Sequence, residues 1–332
     1  MKTWQETAQV YNELARRLAE GRPAALATLV RLEGSAYRRP GAKLLIGEDG
    51  ALVGNVSGGC LEEDLRERGL RALATGQPEL VHYDTGSDEN VVWGLGLGCD
   101  GRLDLWLQPY CPGEATTALD EARHRLRGSR PFATRLSLTD GRLEVLDPAP
   151  DLRTGLVPEG GSFLDVLQPP ADLVVVGAGE DARPLVRLGA EMGFRVTVVD
   201  HRSAYLTAAR FPAAQQLVLA RPEQGVQALP AHAGALVVIM THAVKFDKAW
   251  ALAFAATPVL YLGLLGPKAR RDDILAALPE AARARAYGPV GLDVGAEGAE
   301  QIALSILAEA LAVWAGRSGG HLRHRAAPIH AA

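Results

Sequence analysis

Cys60 lies in the run NVSGGCLEED (Asn55 to Asp64), after two glycines and just before three acids, where a helical pattern begins. Glycine loosens the backbone there, and a helix N-terminus exposes unpaired N–H groups. A thiol at the cap or first turn of such a helix ionises more readily, because the N–H dipoles favour the thiolate. Glu62, Glu63 and Asp64 work against that effect, although acids suit the first turn of a helix. Ser57, Gly58, Gly59 and Glu62 complete the candidate loop around the thiol. Upstream, GSAYRRPGAKLLI places Arg38, Arg39 and Lys43 in a stretch punctuated by glycine and proline, which reads as an anion cradle. Downstream, Cys99 sits in a second glycine-rich run, WGLGLGCDGRLDL. Thiolates are soft donors, so the pattern suits a soft element on a phosphate-bearing ligand. The plain alternative is that Cys60 is a small buried packing residue. No ligand pair has the spacing of a structural zinc site, and spacing alone pairs no histidine with Cys60 for hydrolysis. Cys111, in PYCPGE, has no comparable setting.

A second constellation follows an apolar strand. Gly177-Ala178-Gly179 opens a helix, and Asp200 closes the next strand 23 residues after Gly177. This is the dinucleotide pattern: the first glycine turns the chain, the second admits a pyrophosphate, and the acid holds ribose hydroxyls. Ala182 stands at the third glycine position, a tolerated exchange. Glu180 and Asp181, however, stand where phosphates would dock. Like charges about 4 Å apart cost on the order of 4 kcal/mol at an effective dielectric near 20. A nucleotide at Gly177, Gly179 and Asp200 is therefore an open alternative, and tight NAD or NADP binding is not expected. His242, just after a later strand, reads as a polar residue at the cleft rim. The competing function is an NAD(P)-dependent oxidoreductase in which Cys60 is only structural.

These residues need elements to hold them. Trp4, Ala8, Tyr11, Ala15 and Leu18 mark one face of an opening helix. Residues 24–32 read as a strand, 43–56 as a hairpin about Asp49-Gly50, and 60–76 as a helix. LVHYD, RLDLWLQP and a hairpin over PFATRLSLTDGRLEVL complete a mixed α/β domain, residues 1–168. After the Pro169-Pro170 break, strands and helices alternate, which predicts a Rossmann-like doubly wound parallel sheet over residues 169–332. A net charge of −4 gives no general attraction to nucleic acid or anionic membrane. No apolar run reaches the roughly 20 residues a bilayer span needs. Three separated cysteines and no signal-peptide pattern fit a cytoplasmic protein.

GSAYRRPGAKLLI, GNVSGGCLEEDL and GLGLGCDGRLDLWLQP together resemble the N-terminal signature of the XdhC/CoxI family, the xanthine dehydrogenase accessory factors. VVVGAGEDARPLVRLGAEMGFRVTVVDHR, THAVKFD, LGLLGPKARRDDIL and YGPVGLDVGAEGAEQIALSILAEALA are similar to the family's C-terminal Rossmann domain. The chain departs from the family pattern at Glu180, where histidine is frequent, and at Asp100 within Cys99-Asp100-Gly101. The resemblance implies a chaperone of the molybdenum cofactor (molybdopterin). Such a protein binds the cofactor, supports its sulfuration by a cysteine desulfurase, and delivers it to a xanthine dehydrogenase-type molybdenum hydroxylase. It further implies that Cys60 meets the molybdenum or its sulfur, and a homodimer is expected.

Overall fold

The structure, a computed structural model, describes residues 2–34, 37–84, 101–113, 116–149, 151–157, 161–230 and 232–326. The chain forms two compact units, Met1–Pro170 and Ala171–Ala332. The division falls at the paired prolines, which lack a ladder N–H and restrict the residue before them.

In the first unit, helix α1 (Lys2–Ala19) is followed by β1 (Ala24–Gly34). β1 is the middle strand of an antiparallel sheet ordered β3-β2-β1-β5-β4, with β2 Lys43–Gly47, β3 Leu52–Gly54, β4 Glu79–Asp84 and β5 Gly101–Tyr110. The β2–β3 hairpin pairs Ile46 with Leu52 across the expected turn, where Gly50 takes φ +74°. Alternate residues of β1 serve opposite faces. Ala25, Ala27 and Leu29 pack with Leu61, Leu65 and Ala72 on or beside α2 (Glu62–Thr75). Ala24 and Leu26 pack with Trp4, Tyr11 and Leu14 of α1. Both faces are covered, so Ala24 to Val30 are all buried. Each fully buried leucine there contributes about 1.5–3 kcal/mol over an exposed one.

A second antiparallel sheet, β7-β6-β9-β8, follows helix α3 (Thr117–Leu126), with β6 Phe132–Ser137, β7 Leu143–Leu146, β8 Gly155–Val157 and β9 Ser162–Leu167. The β6–β7 hairpin matches the sequence reading; α3, β8 and β9 do not figure in it. β9 interrupts its apolar run with a charge, Asp165, which is nevertheless buried.

The second unit is a six-stranded sheet, all of whose neighbours are parallel. Its strands are β10 Asp172–Val176, β11 Arg195–Asp200, β12 Gln216–Leu219, β13 Leu236–Ile239, β14 Tyr261–Leu264 and β15 Ala286–Tyr287. Their order, β12-β11-β10-β13-β14-β15, is the doubly wound order 3-2-1-4-5-6. Helices α4 (Ala182–Glu191), α5 (Pro222–Gly225), α6 (Val244–Ala255), α7 (Lys268–Ala277), α8 (Glu280–Arg283) and α9 (Gly298–Trp314) accompany it. Trp250 and Phe254 of α6 pack on Val174, Val237 and Ile239. The order reverses between β10 and β13, so a crevice opens at their carboxyl ends, where such sheets take ligands. No helix among the described residues is long and apolar enough to cross a membrane.

Candidate functional site

Helix α2 starts at Glu62, after Leu61 as cap, so Cys60 stands just outside the helix rather than in its first turn. The thiol is exposed, which rules out the packing-residue alternative. Gly58 and Gly59 take φ +95° and +119°, a region other residues avoid, and so let the loop fold back. The group that holds this fold is Glu62. Its Oε1 accepts the N–H groups of Val56 and Ser57 at 3.1 and 3.0 Å. Its Oε2 accepts those of Gly59 and Leu61 at 3.0 and 3.2 Å, and the Ser57 hydroxyl donates to the same oxygen. Ser57 Oγ in turn accepts from the N–H groups of Cys60 and Leu61, at 3.1 and 3.0 Å. Burial pushes the Glu62 carboxyl up, but these donors outweigh it and hold it below the usual carboxylate range. The expectation that Glu62 and the loop N–H groups face a cofactor therefore needs correcting. The carboxylate already fills the nest, and the loop presents its thiol instead.

The basic residues separate into three environments. Lys43 opens a strand buried throughout, and its ammonium lies 2.5 Å from Asp165 Oδ2 and 2.9 Å from the Gly41 carbonyl. Both side chains of the ion pair are 4% exposed. Lys43 thus compensates a buried carboxylate and is no part of a solvent-facing cradle, because an unpaired charge there would be costly. Arg38 is paired with Glu6 of α1. Arg39 alone remains exposed with no partner among the described residues. Its loop does reach the thiol loop: the ring of Tyr37 lies so close to Gly58 that a Cβ there would stand 3.0 Å from it. Tyr37 is 71% exposed. It does not figure among the site residues expected from sequence, although an aromatic in a glycine- and arginine-rich loop is a legible signal. Cys99 lies outside the described residues. Among those described, no three His, Cys, Asp or Glu side chains gather to hold a metal ion. A metal at Cys60 would have to arrive with other ligands of its own.

The second turn is built differently. Gly177 takes φ +114°, and a Cβ would stand 2.5 Å from the Met240 carbonyl oxygen, so no other residue fits. At Gly179 a Cβ would stand 2.7 Å from Asp181 Oδ1, a side-chain end that a larger residue would have to displace. Glu180 is not the free charge that its sequence position suggests. It pairs with Arg183 and Arg210 at 2.9 and 2.7 Å, and these hydrogen bonds lower its pKa. What closes the dinucleotide position is Asp200. One carboxylate oxygen accepts the Ala178 N–H at 2.7 Å, and Arg202 clasps both oxygens at 3.0 and 2.8 Å. Burial raises its pKa, but Arg202 and the backbone donors prevail and lower it. The acid that would hold ribose is engaged within the protein, so the expected cofactor role of Asp200 has no support here. His242, after β13, takes φ +60° and sets Nε2 2.6 Å from Asp181 Oδ2.

Comparison with known proteins agrees with both halves. Residues 17–84 match the XdhC and CoxI family, and residues 173–310 match the XdhC Rossmann domain. A Bacillus subtilis protein, named as a probable component of xanthine dehydrogenase, is 32% identical over 312 residues, 88% of this chain and 93% of that protein. The molybdenum cofactor insertion chaperone PaoD of Escherichia coli is 26% identical over 302 residues, 89% of this chain and 85% of its own. The crystal structure of a xanthine dehydrogenase from Bacillus halodurans matches with a TM-score of 0.78 at 29% identity, over 93% of this chain and 96% of that one. Two family matches in chain order, on a fold with the doubly wound strand order and a glycine-borne exposed thiol, lead to one assignment. The chain belongs to the XdhC and CoxI family.

Proposed function

We propose that this protein binds the molybdenum cofactor and serves as accessory to a xanthine dehydrogenase-type molybdenum hydroxylase. The observation that carries the reading is the exposed Cys60 thiol, held outside a loop whose backbone donors Glu62 has already taken. A relative named for molybdenum cofactor insertion supplies the cargo. The donor set fits that cargo: a thiolate suits a soft metal or its terminal sulfur, and Arg39 offers an unpaired cation to a phosphate. When bound, the cofactor supplies its molybdenum centre for later use by the hydroxylase. This chain's residues bind and orient it: Cys60 toward the metal or its sulfur, Arg39 toward the phosphate, and Glu62 as the brace of the loop. Lys43, Arg38 and Asp200 take no direct part. Sulfuration of the cargo by a cysteine desulfurase, and a homodimer as the working form, belong to the same proposal. Isolation of the protein from molybdate-fed cells tests it: molybdenum and oxidised pterin should co-purify in comparable amounts. A protein that carries neither under anaerobic isolation contradicts the reading.

A further inference from the structure

The last helix, α9, departs from the pattern of its neighbour. A helix on a folded surface turns a polar face to water, and one apolar all round belongs in an interior. Helix α4 follows the rule: Arg183, Arg187 and Glu191 are each at least half exposed. Helix α9 packs on α4 and β14 and buries Ala303, Ile306, Leu307 and Ala310. With 3.6 residues per turn, the opposite side carries Leu304, Ala308, Leu311 and Ala315. None of these four is buried, and Leu304 is 59% exposed. The helix holds two charged residues, Glu300 and Glu309. Glu309 is turned inward, where it accepts the Tyr261 hydroxyl at 2.6 Å and the Gly291 N–H at 3.0 Å. The outward side is therefore uncharged from Gln301 to Ala315, about 20 Å of helix.

This stripe is complementary to itself. Two such helices, set antiparallel about a two-fold axis between Ala308 and Leu311, place Leu304 opposite Ala315 and Ala308 opposite Leu311. Every leucine then meets an alanine, as ridges meet grooves. The ends agree in charge as well. Glu297 and Glu300 flank the start of the helix, while Arg317 and Arg323 follow its end. The antiparallel setting brings acids against bases at both ends, whereas a parallel one would bring like charges together. Apolar surface also continues beside the stripe. A Cβ at Gly319 would stand 3.0 Å from Leu292 and 3.7 Å from Ala312, so the chain after α9 folds back against it. Leu322, three residues on, and Val294, two after Leu292, are each 60% exposed. A single helical stripe falls short of the roughly 800 Å² per partner of a standard interface, and these flanks extend it toward that size.

We propose that the outward stripe of α9 is the surface on which a second copy of this chain docks, antiparallel and about a two-fold axis. The inference rests on the homodimer of the functional reading above and names the surface that forms it. It uses neither Cys60 nor the crevice of the sheet. Sedimentation equilibrium of the full-length protein tests it. Wild type should dimerise with a dissociation constant in the micromolar range or below. Leu304→Asp and Leu311→Asp each put two unpaired charges per dimer on the seam and should raise that constant about tenfold or more. Far-ultraviolet circular dichroism should stay unchanged, because both side chains lie on the outward side. Glu297→Arg should weaken the dimer several-fold, and Arg323→Glu added to it should restore most of the loss. This charge-reversal pair decides the matter if the aspartate variants fail to fold. A wild-type protein that stays monomeric would overturn the proposal and leave the stripe to a different protein. Aspartate variants that dimerise as tightly as wild type, or a charge reversal that the second change does not repair, would overturn it too. Molybdenum per chain is measured on the same fractions. A monomer that carries molybdenum ends this inference and leaves the cargo reading standing, whereas a dimer of the expected behaviour without molybdenum does the reverse.

Discussion

Two glycine-rich turns lead into helices in this protein, and each has a carboxylate on its backbone donors. Before α2, Glu62 accepts from four N–H groups and a hydroxyl. Before α4, Asp200 accepts from Ala178 and is clasped by Arg202. The outcomes differ. In the first turn the filled nest leaves a thiol outside and exposed. In the second it leaves no reactive group, and the open space lies toward the neighbouring strands. A glycine turn thus fixes a backbone shape, while nearby carboxylates and guanidiniums decide whether any anion site remains.

The largest effect that separates structural from binding roles is expected at Lys43. Lys43→Ala leaves Asp165 buried without its cation and should destabilise the first unit by about 3–5 kcal/mol. Urea unfolding followed by intrinsic fluorescence measures this. A stable Lys43→Ala protein with weakened cofactor binding would return Lys43 to the anion cradle.

Glu62→Gln comes next and bears directly on the comparison. An amide cannot accept from all of these donors, so the loop should loosen by about 1–3 kcal/mol, and Cys60 should alkylate several-fold faster. The pH dependence has a definite sign. The Glu62 carboxyl is held below its usual range despite burial. Its contribution is therefore complete above an unfolded value of about 4.3, and it is lost as pH falls through the lower folded value. The stability gap between wild type and Glu62→Gln should persist near neutrality and close under acid. A gap that widens on acidification would contradict the assigned brace.

Much of the frame was legible in the sequence. The alternation after Pro170, the Gly177 turn and the Asp49-Gly50 hairpin each follow from local chemistry, and each appears where its residues stand. The site was legible only in outline. That Cys60 is glycine-borne follows from NVSGGC, but its exposure stood open against a buried packing role until the structure showed it, and Lys43 and Arg38 looked like loop cations. Their partners, Asp165 and Glu6, lie 122 and 32 residues away in sequence. Likewise Arg210, distant in sequence, neutralises Glu180. Pairings of this range are fixed by tertiary packing, which spacing does not encode. Strand β9 was missed for the same reason, since Asp165 breaks its apolar pattern and is compensated only from another sheet.

The second turn yields a smaller, negative expectation. With Asp200 occupied, calorimetry with NAD and NADP should show no dissociation constant in the low micromolar range. Such a constant, abolished by Gly179→Val, would revive the oxidoreductase reading and end the contrast between the two turns. Smaller still are the surface changes. Arg39→Ala should weaken cofactor retention only about two- to five-fold, as expected for an exposed cation. Cys111→Ala should change neither retention nor stability measurably.

The central claim is that the thiol outside the Glu62-filled loop holds the cargo. Its most direct test is the molybdenum content per chain of wild type and Cys60→Ala, isolated anaerobically from molybdate-fed cells and passed through gel filtration. Because Cys60 is exposed, the substitution should leave unfolding unchanged while bound molybdenum falls about tenfold or more. Equal molybdenum in the two proteins would contradict the account.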